Sequence, residues 1–219
     1  RFRPQTEILP KPSIPLLRVP LAFWGVNLFG SLPISNLVVN TYHLADEIKR
    51  TFRSSFLQKF QITFSDEKEM ILGSGGGLLN AKRHLPTEES FFVINGDEFI
   101  LPKDPYFLEN ALKFHNQEQN LITMITTQND EVGKKFGGVW VDDRNNILGF
   151  GKDKISGSTE GQHNIGLMII NPKFFKYFDE VKFSNILYDH AVSAIKAGEK
   201  VMTYPQEMVW FETGNKEDF

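Results

Sequence analysis

Three groups of residues in this 219-residue chain have the chemistry to handle a polyphosphate. The first is the pair Arg1 and Lys11, set in R-F-R-P-Q-T-E-I-L-P-K-P-S-I-P. Prolines at 4, 10, 12 and 15 fix φ and forbid a continuous helix, so both cations ride on a stiffened loop. A guanidinium fork grips phosphate oxygens bidentately and an ammonium acts as a point charge; solvated surface charge is the ordinary alternative for each. The second group is G-S-G-G-G at residues 73–77, just before the apolar run L-L-N-A-K-R-H-L. Glycines let a backbone approach a ligand closely, and a helix N-terminus favours negative charge. The spacing is neither G-x-G-x-x-G nor a Walker loop, so a plain flexible turn is equally compatible. The third group is Asp97 in F-F-V-I-N-G-D. It follows an apolar strand, at the carboxyl end where α/β sheets bind ligands, and can hold Mg²⁺, which takes one or two carboxylates plus substrate phosphates. An Asx-type turn closing the strand is the alternative.

Such groups need a framework. Residues 21–32 read as an apolar helix and 36–41 as a strand. Residues 44–56 read as a helix, with Leu44, Ile48 and Phe52 at i, i+4 and i+8 on one face. Strands are expected at 62–65, 91–95 and 121–127, and helices at 78–85, opening after the glycines, and at 106–115. This alternation predicts an α/β, doubly wound, mainly parallel sheet covered on both faces. Residues 139–141 and 147–150 flank the turn cluster D-D-R-N-N and read as a β-hairpin insertion. A loop facing a ligand is expected over 152–162, strands at 166–170, 201–204 and 209–211, and helices at 172–178 and 185–197.

The length fits a single domain over 1–219 with a sizeable core. A net charge of -3, from Lys+Arg 24 against Asp+Glu 27, lacks the basic excess of a nucleic-acid surface. The expected partner is a small anion met by local cations. The absence of cysteine excludes disulfides and cysteine-ligated zinc and suits a reducing cytoplasm. No charged residue falls between Arg18 and Asp46, yet prolines, glycines and asparagines break that stretch into pieces too short for a membrane span.

Taken together, P-K-P, L-G-S-G-G-G-L-L-N-A and N-G-D resemble the sugar-1-phosphate nucleotidyltransferase family, whose signature opens G-x-G-T-R-x-R-P and runs on through P-K-P. The resemblance covers nearly the whole chain and implies a Rossmann-like, GT-A-like core. It also implies that the family's first strand and glycine turn belong before Arg1, and a further helix beyond the last residues. Arg1 and Lys11 match the residues that bind the triphosphate and stabilise charge during transfer. Gly73, Ser74, Gly75 and Gly76 match the segment that contacts base and ribose, and Glu67, in the S-x-E upstream, is a further base contact. Asp97 matches a metal ligand. Its partner is Glu212 in W-F-E-T-G-N, where the family reads W-x-D-x-G-T; the extra methylene shifts the carboxylate, and a strand-end surface charge is the alternative. For the sugar phosphate the resemblance points to Asn95, to Gly137 and Gly138 after Phe136, and to Asn164 in N-I-G. F-G-K-D-K at 150–154 lacks the family's F-x-E-K, leaving Lys152 or Lys154 as a phosphate contact or as loop charge. The implied reaction joins a nucleoside triphosphate to a sugar 1-phosphate with Mg²⁺. Two other readings are a non-catalytic NDP-sugar-binding homologue and a nucleotide-sugar glycosyltransferase.

Overall fold

The computed structural model describes residues 4–211 and Thr213. The proline-rich stretch forms two single turns of 3-10 helix, Gln5–Glu7 and Lys11–Ser13, as its fixed φ angles require. A two-residue ribbon follows, β1 (Pro15–Leu16) against β2 (Val19–Pro20). Helix α1 (Leu21–Asn27) buries Leu21, Ala22, Phe23 and Val26. It stops short of the expected residue 32, with a run of turns around Gly30 before Pro33. Strand β3 (Asn36–Thr41) leads to α2 (Ala45–Phe52), where Ile48 and Phe52 face the core and the Phe52 ring meets Phe23 edge-on at 5.9 Å. Asp46 and Glu47 open this helix while Lys49 and Arg50 close it, matching the helix dipole at both ends. Strand β4 (Gln61–Asp66) then pairs in parallel with β3.

Helix α3 (Gly73–Ala81) contains the glycine run, where a helix opening after it was expected. Strands β5 (Phe91–Ile94) and β6 (Phe99–Pro102) and helix α4 (Phe107–Glu118) follow. Strand β7 (Ile122–Thr127), with all six residues buried, lies inside the main sheet, between two strands that come later in the chain. β8 (Gly138–Val141) and β9 (Ile147–Gly151) make the expected hairpin. β10 (Glu160–Ile170) is longer than expected: its first residues, read as loop, pair with β8. A π-helix at Ile186–Ala191 runs into α5 (Val192–Lys196), and β11 (Val201–Pro205) and β12 (Met208–Phe211) complete the described chain.

The α/β class holds, and the sheet is mixed where a mainly parallel one was expected. β11 lies parallel to β7, but β10 runs antiparallel to β7, β5 and β8. A parallel pair needs a crossover helix, and β10 is instead reached through the β8–β9 hairpin. Both faces are covered. Ile122, Met124, Met168 and Ile170 point into one core with Phe174 and Ala194, and Ile125, Leu167 and Ile169 into another with Phe107, Leu108 and Ala111 of α4. The outer edges of β3 and β5 line one cavity of about 1140 Å³. Among the described residues no helix is long and apolar enough to cross a membrane.

Candidate active site

Asp97 sits in the turn between β5 and β6. Its side chain is 36% exposed, and its Oδ2 accepts a hydrogen bond from Lys11 Nζ at 2.6 Å. Sequence separation is 86 residues, so the fold alone brings them together. Pro12 packs over Gly96, 3.4 Å from where a Cβ would stand there, which seats the Lys11 turn on the N-G-D loop. The far end of the chain reaches the same loop: Thr213 Oγ1 donates to the Asp97 carbonyl at 2.5 Å, and β12 pairs with β6 just beyond. Arg1 and Glu212 lie outside the described residues.

The N-G-D loop is tied to β10 by a bulge. Asn95 N–H donates to Gly166 O at 2.9 Å, and Gly166 N–H donates to Asn164 Oδ1 at 3.0 Å. Gly166 has φ +72°, and a Cβ there would come within 2.4 Å of Asn95 Nδ2 and 2.6 Å of Glu98 Oε1, so only glycine fits. Asn95, Asn164 and Gly96 are thereby held together among the residues that line the cavity.

Gly73, Ser74 and Gly77 line the same cavity. The rest of the glycine run meets protein. Ser184 N–H donates to Leu72 O, Gly75 N–H donates to Ser184 O at 2.8 Å, and Ile186 N–H donates to Ser74 Oγ at 3.0 Å. A Cβ at Gly76 would stand 2.0 Å from Lys182 O. The run is glycine-rich because residues 182–186 lie against it, and Gly75 and Gly76 are buried there. Glu67, 8% exposed, accepts from Leu72 N–H at 2.7 Å and from Asn40 Nδ2 at 2.5 Å. Of the five residues expected at the nucleotide, Gly73 and Ser74 face the cavity, while Glu67, Gly75 and Gly76 pack the wall behind it.

The sugar-side residues divide likewise. Asn95 and Asn164 reach the cavity; Gly137, Gly138 and Lys152 belong to the hairpin instead. Gly137 is exposed beside Gly151 and the Tyr188 hydroxyl, Gly138 is buried, and Lys152 is exposed. An aromatic cluster anchors that hairpin to the site: Phe136 meets His163 at 4.8 Å and Trp210 at 5.5 Å, and His163 meets Trp210 at 4.2 Å.

The nucleotidyl transferase family model matches residues 1–219. The chain belongs to that family. Among its curated relatives is the UTP–glucose-1-phosphate uridylyltransferase of Synechocystis sp., 27% identical over the whole of this chain and 58% of the relative. Another is the mannose-1-phosphate guanylyltransferase regulatory subunit alpha-A of Danio rerio, 25% identical over 83% of this chain and 44% of the relative. This nucleotidyl transferase chain thus spans about half the length of the curated relatives it matches. A crystal structure of UDP-glucose pyrophosphorylase with UDP-glucose superposes with a TM-score of 0.79 at 19% identity, covering 100% of this chain and 90% of that one. The fold is the Rossmann-like, GT-A-like core.

Sequence reasoning passed over two residues of this site. Glu98 accepts from Trp210 Nε1 at 2.9 Å and from Asn95 Nδ2 at 3.0 Å, and burial pushes its carboxyl above the usual carboxylate range. It straps β12 to the N-G-D loop of the transferase. The one available signal was an acidic residue opening an apolar strand. Asn40, at the end of β3, gave no local signal at all.

Proposed function

We propose that this nucleotidyl transferase joins a nucleoside triphosphate to a sugar 1-phosphate, giving an NDP-sugar and pyrophosphate, with Mg²⁺ as cofactor. The observation that carries this reading is the pairing of Lys11 with Asp97 at 2.6 Å on the N-G-D loop, which Gly166 ties to Asn95 and Asn164. A cation and a carboxylate held side by side at strand ends suit a substrate that is both polyanionic and metal-bound. The residues fit Mg²⁺: Asp97 offers a hard, partly exposed oxygen, and Mg²⁺ needs few protein carboxylates when phosphates complete its shell. Asp97 would hold it, with Glu212 as the second carboxylate. When bound, the ion neutralises charge on the reacting phosphates.

The chain's own groups do the rest. A sugar-phosphate oxygen attacks the α-phosphorus, the bond to the bridging oxygen of pyrophosphate breaks, and no covalent enzyme intermediate forms, so catalysis is positioning and charge stabilisation. Lys11 and Arg1 stabilise the departing pyrophosphate; Asn95 and Asn164 orient the sugar phosphate. Gly137, Gly138 and Lys152 act only if the hairpin supplies further contacts to the phosphate. A cysteine-free chain suits the reducing cytoplasm where this reading places it.

Pyrophosphate release tests it, with UTP or GTP supplied against glucose 1-phosphate and mannose 1-phosphate. Mg²⁺-dependent release with at least one pair is expected; none with any pair would sink the catalytic reading. The likeness to a subunit named as regulatory, together with Glu212 in place of the family's aspartate, favours a second reading: a non-catalytic NDP-sugar sensor. Calorimetric binding of UDP-glucose or GDP-mannose by a chain that releases no pyrophosphate is its signature.

A further inference from the structure

We infer that His190 is a positioning residue for nucleotide binding: acting through Ser184, it latches residues 182–186 onto the glycine run of α3. This rests on the nucleotidyl-transfer reading above. His190 belongs to the π-helix Ile186–Ala191, a geometry found often at functional sites, and its ring stacks on Phe178 with 3.7 Å between centroids and 18° between planes. Its Nδ1 lies 2.9 Å from the Tyr177 carbonyl oxygen and its Nε2 lies 2.9 Å from Ser184 Oγ. A carbonyl only accepts, so Nδ1 carries the hydrogen. In the neutral ring Nε2 is then the lone-pair nitrogen, and the Ser184 hydroxyl donates to it.

Ser184, 6% exposed, grips α3 through its backbone. Its N–H donates to Leu72 O at 2.9 Å, and its carbonyl accepts from Gly75 N–H at 2.8 Å. Gly75 is in the first turn of α3, where N–H groups have no partner within the helix, so Ser184 supplies what a glycine-rich helix start lacks. Ile186, two residues on, donates to Ser74 Oγ at 3.0 Å, so the same segment also fixes Ser74. A serine and a histidine this close suit a nucleophile and its base as well. That role is closed here, because α3 covers the oxygen: a Cβ on Gly75 would stand 2.6 Å from Ser184 Oγ and 2.8 Å from His190 Cδ2.

Three variants of the full-length chain test the latch. His190→Phe keeps a ring to stack on Phe178 and removes both hydrogen bonds. His190→Gln restores an acceptor for the Ser184 hydroxyl, and Ser184→Ala removes that hydroxyl alone. Hydrogen exchange without nucleotide should show the Gly75 amide exchanging about tenfold faster in His190→Phe and in Ser184→Ala, as the loss of one net hydrogen bond allows. Calorimetric titration with UTP and with GTP in Mg²⁺ should show the tighter of the two weakened about three- to tenfold in both variants, with most of the loss recovered in His190→Gln. The double variant should bind no worse than either single one, because the two side chains act through one bond. Should His190→Phe fail to fold, Ser184→Ala and His190→Gln carry the same comparison. Native nucleotide affinity in Ser184→Ala, native Gly75 exchange in that variant, or losses that add in the double variant would overturn the assignment while leaving nucleotidyl transfer standing. Failure of the native chain to bind either nucleotide would instead strike the nucleotidyl-transfer reading itself and take this inference with it.

Discussion

Asp97 and Glu98 are adjacent carboxylates with opposite duties, and their surroundings divide the labour. Asp97 is partly exposed and paired with Lys11, so it stays available to a cation. Asp97→Asn keeps the shape and removes the charge. Turnover should fall by about 100-fold or more, the scale seen when one charge-stabilising group leaves a preorganised site. The melting temperature should barely move, because a partly exposed ion pair contributes only about 0–1 kcal/mol. Pyrophosphate release and a thermal melt on the same variant check both halves; a large loss of stability would instead make Asp97 a structural residue. Glu98 has both oxygens occupied by Trp210 Nε1 and Asn95 Nδ2. Glu98→Gln must turn an N–H toward one of two donors, so urea denaturation should show a loss of about 1–3 kcal/mol.

Helix α3 shows how an element is specified by what packs on it. Glycine is a poor helix former, and nothing local favours a helix across G-S-G-G-G. The run is helical because residues 182–186 press on it, with Lys182 O only 2.0 Å from the place a Gly76 Cβ would take. Gly76→Ala should therefore cost about 3 kcal/mol, at the upper end for overpacking since the obstacle is backbone, and should weaken nucleotide binding by displacing Ser74. Denaturant melts with calorimetry measure both. The same logic separates what was legible in the sequence from what was not. β3, β4, β5, β7 and the β8–β9 hairpin announce themselves through apolar runs and turn residues. β6 is four residues ending in proline and, among the described residues, has β12 as its sole strand partner, and the polar start of β10, E-G-Q-H-N, hides a strand that β8 stabilises. In the site, Lys11 and Asp97 were legible as motifs. Glu98 and Asn40 were not, because their meaning lies in partners 112 and 27 residues away.

At the scale of the whole molecule, the two cores are joined through β7, and a histidine buried beside that strand makes global stability depend on pH. His115 of α4 is 1% exposed and bridges Ser90 and Thr123, its Nε2 at 3.0 Å from Ser90 Oγ and its Nδ1 at 2.9 Å from Thr123 Oγ1. Burial alone lowers its pKa from 6.5 to about 4, with no charged neighbour contributing. The folded chain keeps this ring neutral where the unfolded chain protonates it, so unfolded molecules bind more protons between pH 6.5 and 4, and stability falls as pH drops through that window. The gap of about two and a half pH units, at 1.36 kcal/mol each, corresponds to roughly 3 kcal/mol. Carboxyls such as Asp66, held low first by its hydrogen bond from Lys49, act in a separate window. Their stabilisation is present above the ordinary carboxylate range and is lost as pH falls through their lowered folded values, below the histidine's span. Urea melts at intervals from pH 7 to 4 should show the decline in the native chain, and His115→Gln should flatten it even though that variant starts from a lower stability. An unchanged slope in the variant would mean that some other group carries the dependence.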